Sequence, residues 1–216
     1  MAFWVACLLA AAVAYFIGSI PTGYVAGRLL GDIDIREHGS KSVGATNVLR
    51  TLGKWPAAGV LFVDVLKGVF AVVFARWFLN LLPVSPEAAT NSQAWISWGI
   101  CLAGLAALLG HSRSIWLKFS GGKSAATGLG VLLAMSWPVG LGAAAVFGLV
   151  LASFRIVSLS SMLAALTAIV LVCVLEQPFP YRLLVIAGGI YVIVLHRANI
   201  QRLMTGKEPS IGRSLQ

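Results

Sequence analysis

Residues 123–155, K-SAATGLGVLLAMSWPVGLGAAAVFGLVLASF-R, decide the fold of this chain. Between Lys123 and Arg155 lie 31 consecutive uncharged residues, which is too many for one membrane span of about 20 residues and short for two. Both flanks are basic, and the positive-inside rule places both on the cytoplasmic side. The segment is therefore predicted to enter and leave the membrane as two short helices that form a hairpin at Pro138, where proline interrupts the helix.

The rest of the chain has the same apolar character. Of 216 residues, 59% are hydrophobic and 11% are charged, and the mean hydropathy is +0.91. Long uncharged runs are typical of helices that span a bilayer, and this composition excludes soluble globular, disordered and coiled-coil classes. The three cysteines lie in apolar runs without C-x-x-C spacing. Neither a disulfide framework nor a zinc site is predicted.

The sequence predicts an all-α integral membrane protein in which residues 1–216 form a single transmembrane catalytic domain. The first 27 residues carry no charge and lack the basic region of a cleavable signal peptide, so span one is expected to be retained. Seven spans are predicted: Phe3–Leu30 with a kink at Pro21, Trp55–Leu82, Ala94–Gly110, the two halves of Ser124–Phe154, Ile156–Leu175 and Tyr181–Leu195.

The positions of the cations predict the orientation. With the N-terminus outside and the C-terminus in the cytoplasm, thirteen of the 16 Lys and Arg residues lie on the cytoplasmic side, against Arg76 and Arg182 outside and Lys67 within span two. This is the bias that the positive-inside rule describes. The formal net charge of +9 therefore belongs to one membrane face, and no nucleic-acid partner is expected.

Three polar segments lie at the cytoplasmic N-termini of spans two, four and six. They are Glu37–Arg50, Lys118–Ser124 and Ser158–Ser161. Glycine lets backbone N–H groups approach a ligand, hydroxyls add donors, and a helix N-terminus adds positive potential, which together suit a phosphate group. Each segment alone is equally compatible with a turn or a helix cap. Their coincidence on one face favours a single anion site or two adjoining ones.

The segment around Lys123 is not a nucleotide-binding P-loop. Gly121-Gly122-Lys123-Ser124 is similar to the end of that motif, but Leu117 stands where its first glycine is required, and no strand precedes it. Ser124 is also compatible with a plain helix cap. The segment therefore stays a candidate for a simpler phosphate contact.

A fourth polar segment, His196–Arg202, lies at the cytoplasmic end of span seven. His196 and Asn199 are three residues apart and share one face if the helix continues, which makes them candidates for chemistry. Basic residues at a helix C-terminus also complement its dipole and anchor it at the headgroups, so both interpretations stay open.

Asp64 and Lys67 form an i, i+3 pair inside span two. Ionisable residues within a membrane are costly and mark function by default, although mutual neutralisation explains this pair equally well. The three histidines are spread over three segments and no H-E-x-x-H is present. No metal site and no cofactor are predicted.

Segments along nearly the whole chain match one family in combination and in order. They are Gly18–Pro21, Gly39-Ser40 with Gly44–Val48, Asp64–Gly68, Gly110-His111, Lys118–Lys123 with Ala126-Thr127, Ser158–Ser161, and His196–Ile200 with Arg202-Leu203 and Gly206–Glu208. The chain resembles the bacterial acyl-phosphate:glycerol-3-phosphate acyltransferases, integral membrane enzymes of phospholipid synthesis. It departs from their pattern at Ser42, Ser114 and Ser124, where the family usually has Asn, Pro and Gly.

This resemblance implies the transfer of a fatty acyl group from acyl phosphate to the primary hydroxyl of glycerol 3-phosphate, giving lysophosphatidic acid and phosphate. It also implies a multi-pass protein of the bacterial inner membrane, in contact with membrane lipid, with its active site on the cytoplasmic face. A contact with the enzyme that produces acyl phosphate is a further expectation.

The resemblance also assigns site residues. Ser40, Arg50 and Lys123 are expected to hold the phosphate of glycerol 3-phosphate. The acyl-phosphate group is expected to be surrounded by Thr46, Asn47, Ser158, His196 and Asn199, of which His196 and Asn199 are the catalytic candidates. Either a substrate phosphate or His196 takes the hydroxyl proton.

Two alternative functions fit the sequence less well, an acyl-CoA-dependent acyltransferase and a transporter. Acyl-CoA-dependent enzymes of the same product class use a His followed five positions later by Asp, whereas here Val43, Trp116 and Gln201 stand five positions after the three histidines. A transporter is the main rival, but it is expected to have two related halves with polar groups near the midplane. The polar motifs of this chain crowd one face, which favours an enzyme.

Overall fold

The computed structural model describes residues 2–81 and 92–212 and is all-helical. The longer helices are α1 Ala2–Ser19, α2 Thr22–Gly31, α4 Lys54–Asn80, α5 Ser92–Ser112, α7 Trp137–Phe154, α8 Val157–Val174 and α9 Phe179–Leu195, and the shorter ones are α3 Ala45–Thr51, α6 Ala125–Met135 and α10 Arg197–Met204. Single 3₁₀ turns occur at Ile35–Glu37 and Ile115–Leu117. The predicted all-α fold is confirmed.

Within the described residues, five segments are long and apolar enough to cross a membrane. They are Phe3–Gly31, Lys54–Asn80, Trp95–Ser112, Trp137–Phe154 and Val157–Val174. A sixth is the pair of α9 and α10, which is bent by 57°. The remaining predicted span contains α6, whose 11 residues extend over roughly 16 Å, about half of a bilayer core. The count of seven spans and the orientation therefore stay predictions.

The interruption predicted near Pro138 is present. Helix α6 ends at Met135, Ser136 is extended at φ −150° and ψ 94°, and α7 begins with Pro138 in its first turn. Proline is favoured there because its missing N–H has no intrahelical acceptor to lose. The expected pair of two short helices needs correction, because only α6 is short. Helix α7 has 18 residues, because the break at Ser136 lies before the middle of the uncharged segment and leaves the longer part to α7.

The kink predicted at Pro21 separates α1 from α2. The backbone carbonyls at this break accept hydrogen bonds from other elements. Ser114 Oγ donates to the Ser19 carbonyl at 2.6 Å, and Lys67 Nζ donates to the Ile20 carbonyl at 2.7 Å. The polar groups that proline frees are therefore satisfied by α4 and by the loop after α5, as burial requires.

Small residues let the central helices pack closely. One buried cluster consists entirely of alanines from α1, α4 and α5: Ala10, Ala14, Ala71, Ala75, Ala103 and Ala107. Between α4 and α6, a Cβ added at Gly68 would overlap the backbone of Thr127, and one added at Gly130 would overlap the backbone of Val65. Close backbone approach through small residues is typical of membrane helices. It fixes the start of α6, and hence the Lys123 loop, against α4.

Candidate active site

Asn47 organises the loop between α2 and α4. Its Nδ2 donates to the carbonyls of Ile35, His38 and Ser42 at 2.9, 3.0 and 2.8 Å, and its Oδ1 accepts from the Ser40 backbone N–H at 2.7 Å. The side chain is 1% exposed. Because its polar atoms are committed to the loop, Asn47 sets the loop shape and presents Ser40 at the surface. Its expected place around the acyl-phosphate group is therefore corrected to a structural role in this loop.

The loop before α6 is anchored to α5 by two hydrogen bonds. The Gly122 N–H donates to the His111 carbonyl at 3.0 Å, and the buried hydroxyl of Ser124 donates to the Leu108 carbonyl at 2.7 Å. Ser124 stands at the N-cap position without a side-chain cap bond. The simpler interpretation of Ser124 as a helix cap is therefore replaced by a tether to α5. Between these two anchors, Lys123 Nζ reaches across to α10 and donates to Asn199 Oδ1 at 2.5 Å.

Glu208 joins two of the helices around this lysine, α8 and α10. Its Oε1 accepts from Asn199 Nδ2 at 2.5 Å and from Ser158 Oγ at 2.7 Å, and its Oε2 accepts from Arg202 Nε at 2.7 Å. Its side chain is only 4% exposed. The C-terminal segment is also tied to the start of α8, since the Ile211 N–H donates to the Arg155 carbonyl at 2.7 Å.

The pKa values of Glu208, Lys123 and Arg50 are all below their usual ranges, but for different reasons. Burial alone would raise the pKa of Glu208, but hydrogen bonds from Asn199, Ser158 and Arg202 outweigh it and hold the pKa below its usual range. Burial lowers the pKa values of Lys123 and Arg50, an effect that the Glu208 carboxylate only partly opposes.

Neither Lys123 nor Arg50 has a carboxylate oxygen within 4 Å among the described residues. The two cations are close enough for Arg50 to lower the pKa of Lys123. Two neighbouring cations without a carboxylate oxygen within 4 Å favour binding of an anion.

His196 lies at the bend between α9 and α10 and is 4% exposed. Its Nδ1 lies 2.8 Å from the Val192 carbonyl oxygen, which can only accept, so the proton is assigned to Nδ1. In the neutral ring Nε2 is then an acceptor. Within the part of the chain that the structure describes, Nε2 has no hydrogen-bond partner. The imidazole is therefore able to accept a hydrogen bond from a substrate hydroxyl.

The comparisons with known proteins bear on this cluster. A family model described as glycerol-3-phosphate acyltransferase matches residues 8–206. The chain belongs to the glycerol-3-phosphate acyltransferase family. Among its relatives, glycerol-3-phosphate acyltransferase 2 of Rhizobium johnstonii is 68% identical over 99% of both chains. The glycerol-3-phosphate acyltransferase of Acaryochloris marina is 54% identical over 99% of this chain and 96% of the relative.

Two solved structures share the fold of this acyltransferase. They are crystal structures of PlsY, an integral membrane glycerol 3-phosphate acyltransferase, in its glycerol 3-phosphate form and its lysophosphatidic acid form. The first superposes with a TM-score of 0.84 at 36% identity over 95% of this chain and 96% of PlsY. The second gives a TM-score of 0.82 at 36% identity over 95% of each chain. The present chain is accordingly an integral membrane acyltransferase.

The structure of this acyltransferase brings together most of the residues predicted for its site. Lys123, Ser158, Asn199 and Glu208 form one hydrogen-bonded group. Arg50 and His196 lie within electrostatic range of it, because the Glu208 carboxylate affects the pKa of each.

Ser40 and Thr46 lie on the Asn47 loop, where Ser40 is exposed and Thr46 is half-buried. Neither side chain has a hydrogen bond within the described part of this loop. The structure therefore places these two residues next to Asn47 rather than in the Glu208 group.

Sequence reasoning missed the role of Glu208. Gly206-Lys207-Glu208 was one of the matching segments, but no function was assigned to it. The available signal was that Glu208 is the only carboxylate after span seven in the sequence, although spacing alone does not reveal that it folds back onto α8 and α10.

Proposed function

We propose that this acyltransferase uses acyl phosphate as its donor and transfers the acyl group to the primary hydroxyl of glycerol 3-phosphate, giving lysophosphatidic acid and inorganic phosphate. The observation that carries the proposal is the neighbouring pair of cations, Arg50 and Lys123, neither of which has a carboxylate oxygen within 4 Å in the described part of the chain. Both proposed substrates carry a phosphate group, so both need such a region. The glycerol 3-phosphate and lysophosphatidic acid forms of PlsY support the acceptor and the product.

Ser40, Arg50 and Lys123 are proposed to hold the phosphate of glycerol 3-phosphate. Guanidinium and ammonium groups form short, charge-assisted hydrogen bonds with phosphate oxygens. Burial opposes the charge of both cations, and a bound dianion would compensate for that cost. Asn47 contributes by fixing the loop that carries Ser40.

Thr46, Ser158, His196 and Asn199 are proposed to surround the acyl-phosphate group. Acyl phosphate is a mixed anhydride and already has a good leaving group, so the enzyme needs mainly to position it and to stabilise the developing oxyanion. Ser158 and Asn199 donate to Glu208 in the structure. To contact the acyl-phosphate donor, Ser158 and Asn199 must therefore release the Glu208 carboxylate and donate to a substrate oxygen instead.

In the proposed reaction the primary hydroxyl oxygen attacks the acyl carbonyl carbon and forms the ester bond. The bond between that carbon and the bridging phosphate oxygen breaks, and phosphate leaves with the electron pair. The hydroxyl proton passes either to a phosphate oxygen or to Nε2 of His196, which is the acceptor of the neutral ring. No covalent enzyme intermediate is needed, which agrees with a site composed mainly of donors.

The membrane arrangement is part of the same proposal. We place seven spans in the bacterial inner membrane, with the N-terminus outside and the active site on the cytoplasmic face, within one domain of residues 1–216 that contacts membrane lipid. The enzyme that supplies acyl phosphate is proposed to meet this face.

Cysteines introduced at Ser42, Ser120 and Thr205 should react with an impermeant reagent only from the cytoplasmic side, and one at Ser92 only from outside.

A donor assay with purified protein tests the chemistry. Glycerol 3-phosphate is supplied with acyl phosphate, acyl-CoA or acyl carrier protein in separate reactions, and lysophosphatidic acid is measured. Product from acyl phosphate alone is expected. Product from acyl-CoA or acyl carrier protein alone would overturn the donor, and uptake of glycerol 3-phosphate into liposomes without any acyl transfer would favour a transporter.

A further inference from the structure

A second buried polar cluster lies where α2, α4, α5 and α6 meet. Lys67 Nζ is 2.6 Å from Asp64 Oδ1, and Thr22 Oγ1 donates to the same oxygen at 2.5 Å. His111 Nδ1 lies 3.7 Å from Asp64 Oδ1 and 3.1 Å from Thr127 Oγ1. The proposed reaction uses none of these five side chains.

The charged and imidazole side chains of this cluster are almost completely buried. Asp64 is 1%, Lys67 3% and His111 8% exposed. Charged groups inside a membrane protein carry a desolvation cost that an apolar pair of the same size avoids. Packing alone therefore does not explain why these residue types occur here, and their contact with the reaction site indicates a reason.

The contact is made by His111. Its backbone carbonyl accepts the Gly122 N–H at 3.0 Å, and its imidazole lies directly on Gly122, where an added Cβ would overlap Nε2. Gly122 immediately precedes Lys123. The position of the imidazole, which Asp64 and Thr127 set from the other side, therefore determines how far the Lys123 loop stands out from α5.

We propose that His111 is a positioning residue for Lys123, held in place by the Asp64–Lys67 ion pair. The inference rests on the proposed function, in which Lys123 binds the phosphate of glycerol 3-phosphate. Lys123 Nζ reaches Asn199 on α10 from a loop that is anchored to α5 on either side of the lysine, at Gly122 and Ser124. A displacement of Gly122 moves the ammonium group away from the phosphate, and charge-assisted hydrogen bonds weaken steeply with distance and angle.

The first test is the His111→Ala variant, studied with both substrates varied. Loss of positioning should raise the apparent KM for glycerol 3-phosphate about tenfold, with kcat and the KM for acyl phosphate within about twofold of wild type. A purely structural role would reduce the folded fraction, which lowers the apparent kcat without changing either KM. His38→Ala, which removes an exposed imidazole, serves as the control and should leave both constants unchanged.

Two adjacent glycines supply a rescue experiment. A Cβ at Gly122 would overlap the His111 imidazole, whereas a Cβ at Gly121 would overlap the His111 backbone carbonyl. Gly122→Ala and Gly121→Ala should each raise the KM for glycerol 3-phosphate. In the His111→Ala background, Gly122→Ala should cause no further rise in this KM, because the clashing ring is gone, whereas Gly121→Ala should still raise it, because the carbonyl remains.

The results separate the two levels of the proposal. A KM for glycerol 3-phosphate that is unchanged in His111→Ala, or an equal response of both glycine variants to the second substitution, overturns the positioning role while the donor assay and the Lys123→Ala variant still test the proposed function. If wild-type protein does not use acyl phosphate, or if Lys123→Ala keeps its affinity for glycerol 3-phosphate, then the proposed function fails first.

Discussion

Lys67 in the middle of α4 is buried and Lys123 before α6 is half-buried, but their hydrogen-bond partners differ. Lys67 Nζ contacts the Asp64 carboxylate at 2.6 Å and the Ile20 carbonyl at 2.7 Å. Lys123 Nζ donates to the neutral amide oxygen of Asn199 at 2.5 Å and has no carboxylate within 4 Å in the described part of the chain. A lysine whose charge is already neutralised supports structure, whereas a half-buried lysine with only a neutral partner gains from a bound anion, which is the role that we propose for Lys123.

The largest effect is expected from breaking the neutralised pair. Asp64→Ala leaves Lys67 buried without its counter-charge and should lower the free energy of unfolding by about 3–5 kcal/mol. Thermal unfolding in detergent measures this, with the exposed Glu37→Ala as the control. The double variant Asp64→Ala/Lys67→Met should recover part of the loss. An unfolding temperature equal to wild type in Asp64→Ala would contradict the assignment.

The matching substitution at the other lysine should act on catalysis. Lys123→Ala removes a charge-assisted contact with phosphate and should lower kcat/KM for glycerol 3-phosphate about 100-fold, with the free energy of unfolding changed by no more than about 0.5 kcal/mol. Steady-state kinetics and thermal unfolding on the same preparation check both halves. The control is Lys54→Ala, which removes an exposed cation on the same predicted membrane face. It should leave both the kinetics and the stability unchanged. Wild-type kinetics in Lys123→Ala would remove the phosphate assignment.

A smaller effect is expected at Glu208, the carboxylate that Ser158, Asn199 and Arg202 hold beside Lys123. Glu208→Gln weakens the hydrogen bond from Arg202 and should cost about 1–2 kcal/mol of stability near neutral pH. Because the pKa of Glu208 is lower in the folded protein than its ordinary value of 4.5, its stabilisation is present above that value and is lost as pH falls towards the folded-state pKa.

Unfolding temperatures measured between about pH 3 and 7 test this sign. The difference between wild type and Glu208→Gln should shrink as the solution becomes more acidic. A difference that grows with acidity would show that Glu208 is protonated in the folded protein.

The smallest effect is expected for His196→Ala. If His196 orients the donor, the KM for acyl phosphate should rise about tenfold with little change in the KM for glycerol 3-phosphate. A general base would instead lose about 10²- to 10⁴-fold in kcat. We favour orientation, because the substrates bring their own phosphate oxygens. A defect confined to the glycerol 3-phosphate KM would mean that the two phosphate sites are reversed.

The sequence was sufficient for features that depend on local composition. Apolar runs predicted the helices, Pro21 and Pro138 predicted both interruptions, and the glycine and serine segments predicted which loops carry polar groups. These signals are local because helix length and proline geometry depend on neighbouring residues alone. The seven-span count is different, since an 11-residue α6 leaves it untested.

Contacts between distant segments could not be predicted in the same way. Nothing in the spacing shows that the amide of Asn47 is used by three carbonyls, or that Glu208 accepts from Ser158 at a separation of 50 residues. The histidine at position 111 was equally ambiguous, because its role depends on its contact with Gly122. Such contacts depend on how the helices pack, and periodicity does not specify that.

If Lys123 binds the substrate phosphate as proposed, its lowered pKa also couples binding to the proton concentration. Burial disfavours the ammonium form in the empty site, and a phosphate dianion beside it restores that form, so binding and protonation of Lys123 reinforce each other. As pH rises through the pKa of the empty site, binding must be accompanied by proton uptake from the buffer, and affinity declines. Above that pKa the heat of binding then depends on the ionisation enthalpy of the buffer, because the half-buried lysine takes up a proton as the site fills.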